Sequence, residues 1–205
     1  LRDPAETARW AEELGGVSLM PGHLRLPRGE MIERLPGFAE GAWWVQDLAA
    51  SLPARLLGAG GNDSGGRTVL DLCAAPGGKT LQLAAAGWRV TALDASAKRL
   101  ERLQANLART GLSAEVIKAD ALEWQCAAAF DAVLLDAPCT ATGTCRRHPD
   151  VLHRIGARQI AEMAQLQAAL IERAAGWTKP GGLLVYAVCS LEREEADAQV
   201  DRVAL

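Results

Sequence analysis

The stretch Thr68-Val-Leu-Asp-Leu-Cys-Ala-Ala-Pro-Gly-Gly-Lys-Thr80 decides how this chain folds. Its first half is a nearly continuous apolar run that ends on an acid, a pattern typical of a strand buried on both faces of a parallel sheet. Small residues then occupy positions 74–78, and residues 80–86 restart as a helix. A buried strand, a glycine turn and a helix N-terminus together predict a ligand site at the carboxyl end of the strand.

Three kinds of ligand use such a turn, and the spacing of the small residues separates them. A phosphate-binding P-loop requires a glycine five residues before Gly78, where this chain has Cys73. A dinucleotide site requires the pattern G-x-G-x-x-G, which residues 74–79 do not spell. S-adenosylmethionine carries no phosphate and needs a close-packed turn and an acid for its ribose. The turn therefore favours S-adenosylmethionine.

The strand pattern returns four times along the chain. We expect further strands at residues 89–94, 114–120, 130–136 and 182–188, with helices between them. Strands alternating with helices predict an α/β fold, a doubly wound, mostly parallel and Rossmann-like sheet. Ligands of such sheets bind at the carboxyl ends of the strands. The residues expected to converge there are Asp71, Asp94, Asp120, Asp136 and Cys189.

Two of these acids have predicted roles at the cofactor. Asp94 lies 23 positions after Asp71, close to the offset of about 20 residues at which an acid of this fold meets ribose hydroxyls. Its alternative role is a charge at a helix N-terminus beside Ser96. Asp120, with Ala121, is placed to flank an adenine ring, and its alternative is a solvated loop acid.

The first 66 residues are interpreted as an N-terminal extension and linker packed on a core domain of residues 67–205. Within 1–20 we expect a peripheral helix that stops at two glycines, and within 17–41 extended strand and loop. Residues 43–45 predict a short strand, followed by a helix over 47–57 that its proline should interrupt. The glycine-rich segment 58–66 predicts a flexible surface loop.

Composition narrows the class of protein. The 205 residues, 49% of them hydrophobic, supply one full α/β core, and we expect a monomer. A net charge of -3 gives no global attraction to nucleic acid, so an RNA partner requires a local basic patch. Five cysteines without a C-x-x-C pair predict free thiols in a reducing compartment. With no membrane-length apolar run and no signal sequence, the expected location is cytoplasmic, without membrane contact.

Two cysteines stand at the ends of predicted strands, Cys139 after the fourth and Cys189 after the fifth. A buried cysteine is most often a small core residue, which is the role we expect for Cys73 and Cys126. A thiolate beside a methyl donor has a specific use, because carbon 5 of cytosine is too weak a nucleophile to take a methyl group directly. Attack by a thiolate at carbon 6 activates carbon 5, provided that an acid serves ring nitrogen 3. Asp136 is the nearest candidate for that acid.

A long polar loop, residues 140–158, follows the fourth strand, and loops of this length are usually functional or disordered. We expect its basic residues to contact RNA phosphates, the alternative being a solvated basic loop. These residues are Arg146, Arg147, His148, Arg154 and Arg158. Four possible zinc ligands also lie here, but their spacing matches no common module, so no metal is expected. They are Cys139, Cys145, His148 and His153.

Three motifs together carry a family resemblance. They are Asp71-Leu-Cys-Ala-Ala-Pro-Gly-Gly-Lys-Thr80, Asp136-Ala-Pro-Cys-Thr-Ala-Thr-Gly143 with Arg146-Arg-His-Pro-Asp150, and Tyr186-Ala-Val-Cys-Ser190. The combination resembles the RNA cytosine-C5 methyltransferases of the Sun (Fmu) family, whose bacterial members act on small-subunit ribosomal RNA, and it covers about residues 35–198. The resemblance implies S-adenosyl-L-methionine as cofactor and ribosomal RNA as substrate. A same-fold methyltransferase for a small molecule or protein, or a non-catalytic RNA-binding module, are the alternatives.

The resemblance also implies roles for individual residues. Cys189 corresponds to the nucleophile of the family's Thr-Cys-Ser motif, here with Val188 in place of threonine, and Cys139 corresponds to the Pro-Cys cysteine that assists release. The family's cofactor contacts fall on Cys73, Ala74, Ala75, Pro76, Gly77, Gly78, Lys79, Asp94, Asp120 and Asp136. The family has two more strands after the one that ends in its nucleophile, and bacterial members often carry a helical RNA-binding domain ahead of it. We therefore expect a chain truncated at its C-terminus.

Overall fold

The computed structural model of the protein describes residues 1–27, 29, 31–61 and 66–203. The α-helices and strands follow one another as α1 (Thr7–Glu13), β1 (Val17–Met20), β2 (His23–Arg25), α2 (Leu48–Leu56), β3 (Thr68–Leu72), α3 (Gly78–Ala85), β4 (Arg89–Asp94), α4 (Ala97–Thr110), β5 (Glu115–Lys118), β6 (Phe130–Asp136), α5 (Val151–Arg154), α6 (Ala157–Trp177), β7 (Thr178–Ala187) and α7 (Asp197–Val203). Short 3₁₀ helices lie at Pro4–Glu6, Ile32–Arg34, Thr142–Thr144 and Arg193–Glu195. None of the helices described is both long enough and apolar enough to cross a membrane.

The core is a five-stranded sheet in the order β5-β4-β3-β6-β7, with every neighbouring pair parallel. Successive residues of β3 point to opposite faces, so Val69 packs with α3 and α4 while Leu70 packs with α6. Both faces are covered, which explains the absence of exposed surface on these two side chains. The predicted doubly wound α/β fold is confirmed.

Two strand boundaries differ from those expected. The strand predicted at 114–120 is only Glu115–Lys118, because Asp120 starts a turn and accepts the amide of Trp124 at 2.8 Å. The last strand starts at Thr178 instead of residue 182, and its pairing with β6 shifts register between Phe130 and Ala132. Proline in this segment is tolerated because β7 lies at the edge of the sheet.

The N-terminal segment forms a helix and a hairpin. Helix α1 stops before Gly15, whose φ of +59° suits a glycine, and β1 pairs with β2 antiparallel. The short strand expected at 43–45 is wrong. Trp43 is instead buried against Trp10, and its indole nitrogen donates to the carbonyl of Pro36 at 2.9 Å. The burial of the Trp43 side chain, and not strand pairing, therefore determines the position of residues 43–45.

The expected interruption of the next helix at Pro53 is also wrong, since Pro53 lies inside α2. Ser51 and Ala54 are buried on the side that packs against α3. The amide of Gln82 donates to the Ser51 carbonyl at 2.9 Å, so a side chain holds the backbone near the proline. Docking of this face outweighs the loss of one helical hydrogen bond.

The segment expected to be a flexible surface loop is partly packed on the core. Gly60 is buried, and its amide donates to the carbonyl of Ala86 at 2.9 Å. The indole nitrogen of Trp88 donates to the Gly58 carbonyl at 2.9 Å. Residues 62–65 of that prediction lie outside the described residues. The division into an extension and a core domain at residue 66 stays a prediction.

One carboxylate ties together the starts of three core strands. Asp131 on β6 accepts the amide of Thr68 at 2.8 Å and its hydroxyl at 2.9 Å on one oxygen. Its other oxygen accepts the ammonium of Lys179 on β7 at 2.6 Å. The Lys179 bond and the Thr68 bonds hold the pKa of Asp131 far below its usual range.

We expect Asp131→Asn to lower the free energy of unfolding by about 1–2 kcal/mol at pH 7, because an amide cannot accept on both sides. The folded-state pKa is depressed, so this stability is present above the unfolded value of about 4 and is lost as the pH falls below it. Urea unfolding between pH 3 and 7 measures both effects. Asp150→Asn, which removes an exposed pair with Arg154, is the control and should change stability by under about 0.5 kcal/mol. Equal losses in the two variants would contradict the role given to Asp131.

Candidate active site

The turn between β3 and α3 is tight and depends on one glycine. Gly77 has a φ of +106° and donates its amide to the Ala74 carbonyl at 2.9 Å. A Cβ at this position would come within 3.0 Å of Leu103 in α4. The predicted order of strand, glycine turn and helix is confirmed, and the turn faces the carboxyl edge of the sheet.

Asp94 lies beneath this turn with only 3% of its surface exposed. Its carboxylate accepts the amide of Ala75 at 3.1 Å and the amide of Ser96 at 2.9 Å. Arg99 lies 3.5 Å from the same carboxylate and also donates to the Ala75 carbonyl. The residue therefore supports the turn and the start of α4 at once. Each oxygen of the Asp94 carboxylate can still accept another hydrogen bond, as ribose binding would require. The role of Asp94 at a ribose stays a prediction.

A buried acid with an unused acceptor lies beside the turn. Asp71 accepts the hydroxyl of Thr80 at 2.6 Å on Oδ2, while its buried Oδ1 has no partner among the residues described. Burial raises the pKa of Asp71 to about 7, and the nearby charge of Asp136 adds to this. Together with Lys79 it lines a cavity of about 530 Å³. The ammonium of Lys79 donates to Oδ2 of Asp136 at 2.6 Å across that cavity's floor.

Parallel pairing of β6 and β7 brings the two strand-end cysteines together. The amide of Ala137 donates to the Ala187 carbonyl at 2.9 Å, which continues the ladder past the strand end. Beyond it, the Sγ atoms of Cys139 and Cys189 lie 3.4 Å apart. Gly143 then donates its amide to the Cys189 carbonyl at 3.0 Å, and a Cβ there would come within 2.8 Å of that oxygen.

The two thiols differ in acidity because they share a hydrogen bond. The hydrogen bond from Cys139 lowers the pKa of Cys189 to about 7, against the opposing effects of burial and of the Asp136 charge, and the ammonium of Lys79 adds to the lowering. The same bond, with burial, raises the pKa of Cys139. Cys189 is exposed and Cys139 is half-buried. At neutral pH the accessible thiol is therefore the one with thiolate character.

The remaining predicted site residues are spread around this edge. Asp120 is exposed and accepts the amide of Leu122 at 2.9 Å. In the loop, Arg147 lines the 530 Å³ cavity and pairs with Asp47 at 3.2 Å, whereas Arg146 lines a separate cavity of about 760 Å³. His148 is exposed. Within the described residues no three His, Cys, Asp or Glu side chains are grouped as metal ligands.

Cys73 and Cys126, the two cysteines expected to be structural, lie apart from the thiol pair. Cys73 is half-buried, and burial raises its pKa to about 12, which agrees with an inert thiol. Cys126 is half-buried, and its Sγ lies 3.9 Å from the carbonyl of Ala128.

Sequence reasoning missed the polar groups that hold the cysteine loops. Glu195, Thr140 and Gln167 form a buried cluster beneath the two thiols. Glu195 belongs to a run of charged residues, Glu-Arg-Glu-Glu, which ordinarily indicates a solvated surface. Its proximity to Cys189 in the sequence was the only signal available.

Comparison with known proteins identifies the family. Residues 62–204 match the family described as 16S rRNA methyltransferase RsmB/F. The chain belongs to this family. Ribosomal RNA small subunit methyltransferase B of Klebsiella pneumoniae subsp. pneumoniae is 45% identical over 185 residues, which cover 88% of this chain and 42% of that protein. The chain thus spans less than half the length of the curated relatives it matches.

Solved structures agree with the fold. NSun6 from Pyrococcus horikoshii, solved with SFG, superposes with a TM-score of 0.76 at 30% identity, covering 88% of this chain and 47% of that one. A methyltransferase homolog protein from Pyrococcus horikoshii gives a TM-score of 0.81 at 28% identity, covering 98% and 66%. RsmB/F membership confirms the S-adenosylmethionine-dependent methyltransferase fold and its cofactor. The closely packed Gly77 and the unused oxygen of Asp71 fit a ligand at this turn.

We expect Cys139→Ala to raise the pKa of Cys189 from about 7 towards an ordinary thiol value of about 8.5, since the donated hydrogen bond is lost. Iodoacetamide alkylation followed against pH, with peptides separated by mass spectrometry, measures this midpoint. Cys126→Ala is the matched control, because its thiol contacts the Ala128 carbonyl and neither Cys139 nor Cys189. A midpoint of Cys189 that stays near 7 in Cys139→Ala would contradict the coupling.

Proposed function

We propose that this RsmB/F chain is the catalytic part of an S-adenosylmethionine-dependent RNA cytosine-C5 methyltransferase that acts on ribosomal RNA. The observation that carries the proposal is the pair of thiols 3.4 Å apart beside the cofactor turn. A methyltransferase for a small molecule would have no use for this pair. The names of the curated relatives support ribosomal RNA as the substrate.

Cys189 would act as the nucleophile. It is exposed, and its thiolate is populated near neutral pH, so it can attack carbon 6 of a cytosine placed in the site. Attack forms a carbon–sulfur bond and moves electron density through the ring to carbon 5. The bound cofactor supplies an electrophilic methyl group on a positively charged sulfur.

Asp136 and Lys79 would serve ring nitrogen 3. Asp136 accepts the Lys79 ammonium at 2.6 Å, so the proton that reaches ring nitrogen 3 comes from Lys79 and is passed on by Asp136. Lys79 has 12% of its side chain exposed, which restricts exchange of that proton with water. This pair would stabilise the electron-rich ring during attack and return the proton when the adduct breaks down.

Cys139 would assist release. While Cys189 is a thiolate, the shared hydrogen bond keeps Cys139 protonated. Once Cys189 is consumed in the carbon–sulfur bond, that charge is gone and Cys139 becomes a better acid–base group. It can then lose its own proton to solvent and, as a thiolate, take the proton from carbon 5, and the electrons of that carbon–hydrogen bond expel Cys189 as a thiolate. The order of events follows from the coupling between the thiols.

The other binding roles complete the proposal. Residues 73–79 with Asp94 and Asp120 would hold the cofactor, and Arg146, Arg147 and His148 would contact RNA phosphates. Arg147 would have to leave Asp47 to do so. The monomeric state, the cytoplasmic location and the lack of a metal stay predictions.

At the cofactor site, Asp94→Asn should weaken binding of S-adenosylhomocysteine by about 1–3 kcal/mol, because a charged acceptor is lost. Isothermal calorimetry measures the affinity, and a thermal melt reports whether the turn above Asp94 survives. The control is Asp201→Asn, an exposed acid of α7. An unchanged affinity in a folded Asp94→Asn protein would remove this residue from the ribose site.

The two cysteine deletions should fail at different stages of the reaction. Cys189→Ala should form neither adduct nor methylated RNA, whereas Cys139→Ala should attack and methylate but remain covalently bound to RNA. Denaturing gel electrophoresis of protein incubated with cofactor and ribosomal RNA reveals the bound species as a slow band. Cys145→Ala, a loop cysteine, serves as the control with normal turnover. Accumulation of the band in Cys189→Ala instead would reverse the two roles.

A further inference from the structure

Glu195 is a carboxylate with no exposed surface, held in the 3₁₀ helix that follows β7. Its Oε2 accepts the amide of Thr140 at 2.9 Å and the side-chain amide of Gln167 at 2.9 Å. Its Oε1 accepts the hydroxyl of Ser190 at 2.9 Å and the hydroxyl of Thr140. Both oxygens are therefore fully used by neutral donors.

The donors have one property in common, which is that they flank the two thiols. Thr140 directly follows Cys139 in the chain, and Ser190 directly follows Cys189. Gln167, from α6, also donates to the carbonyl of Pro138 at 2.9 Å. The residues that follow the two cysteines thus bond one carboxylate directly, and Pro138, the residue before Cys139, is connected to it through Gln167.

Further hydrogen bonds join the two loops and brace the loop after β7. Between the loops, the amide of Leu191 donates to the Thr142 hydroxyl at 2.9 Å. Within the loop after β7, the amide of Glu192 donates to the Ser190 hydroxyl at 3.1 Å. The hydroxyl of Tyr186 donates to the backbone carbonyl of Glu195 at 2.6 Å. The loops after β6 and β7 can therefore move apart only by breaking buried polar contacts, each of which is costly to leave unmade.

We propose that Glu195 is the positioning residue of the cysteine pair: it fixes the loops so that the Cys139 thiol can donate to Cys189. Sheet pairing aligns the strands only as far as Ala187, and beyond it a backbone bond from Gly143 to the Cys189 carbonyl joins the two loops. The carboxylate adds a further constraint on Thr140 and Ser190, the residues that directly follow the two cysteines. The proposal rests on the proposed function for its catalytic meaning, but not for its geometry.

A carboxylate suits this position because it only accepts hydrogen bonds and offers lone pairs to four donors. Burial alone would raise the pKa of Glu195, but the bonds from Thr140, Gln167 and Ser190 outweigh it and lower the pKa. A glutamine could take its place with its NH₂ group turned towards the two hydroxyls, which can rotate to accept. An alanine could not.

The charge of Glu195 and its geometry act on Cys189 in opposite directions. No cation is paired with Glu195 in the described part of the chain, so its charge by itself disfavours a nearby thiolate. Removing the charge would then lower the pKa of Cys189. Removing the support would separate the thiols and raise it. The sign of the change therefore distinguishes positioning from a direct electrostatic effect.

The test is the pH profile of Cys189 alkylation in Glu195→Ala and Glu195→Gln. We expect the midpoint in Glu195→Ala to rise from about 7 towards about 8.5, so that alkylation at pH 7 slows roughly tenfold. Glu195→Gln should stay within about threefold of the wild type, since it preserves the support. Thr110→Ala is the matched control. Its side chain is equally buried, but it donates to the Asn106 carbonyl at 2.8 Å within α4.

A double variant isolates the route of the effect. In Cys139→Ala the donated bond is already absent, so adding Glu195→Ala should raise the Cys189 midpoint no further. If Glu195→Ala fails to give a folded circular dichroism spectrum, Thr140→Val replaces it. That variant removes one of the four bonds to Glu195, together with the contact of 3.2 Å between the Thr140 and Ser190 hydroxyls, at nearly constant volume, and should raise the midpoint by a smaller amount. In methylation assays Glu195→Ala should lower kcat and leave the affinity for S-adenosylhomocysteine unchanged.

Three results would overturn the positioning role. They are an unchanged Cys189 midpoint in folded Glu195→Ala and Thr140→Val, a lowered midpoint, or an undiminished effect of Glu195→Ala in the Cys139→Ala background. A different result would contradict the proposed function, namely a wild-type protein that forms no adduct with RNA. Midpoints that move as expected without any adduct would keep Glu195 as the support of the thiol pair and reject the chemistry assigned to that pair.

Discussion

The parallel pairing of β3, β6 and β7 is the constraint on which the site depends. Since the strands run in one direction, the residues that follow them emerge at one edge, and the cofactor turn, Asp136 and both cysteines meet there. An antiparallel neighbour would send one cysteine loop to the opposite edge. Burial of β3 on both faces and the Asp131 bonds at the strand starts stabilise this arrangement.

Chemistry at this edge depends on partners that change each other's acidity. Lys79 is bonded to Asp136, and Cys139 is bonded to Cys189. Neither of the two thiols titrates as it would alone. One thiol becomes reactive because the other keeps its proton. A distance of 3.4 Å between two loop residues is not a property of the sheet. We propose that Glu195 supplies the support that this distance requires.

Much of the fold could be predicted from the sequence because buried parallel strands leave an uninterrupted apolar pattern. Strands β4 and β6 have the expected bounds, and the residues at their ends lie where the pattern placed them. The strand expected at Trp43 and the helix break expected at Pro53 are wrong because tertiary packing outweighs local propensity at both residues. A single sequence does not show that packing. Glu195 could not be recognised, since a charged run gives no sign of the donors that bury one of its members. The pairing of Arg147 with Asp47 was hidden for the same reason, because the two lie far apart in the chain.

In the proposed function, Cys189 forms a covalent bond to a cytosine of RNA. Small-subunit ribosomal RNA in which 5-fluorocytosine replaces cytosine reveals this bond, because fluorine at carbon 5 prevents the proton loss that breaks the adduct. After incubation with S-adenosylmethionine, the protein and RNA are digested and the modified peptide is sequenced by mass spectrometry. We expect a fluorinated, methylated cytosine attached to Cys189. Attachment to Cys139, or the absence of any attached nucleotide while the RNA is bound, would contradict it.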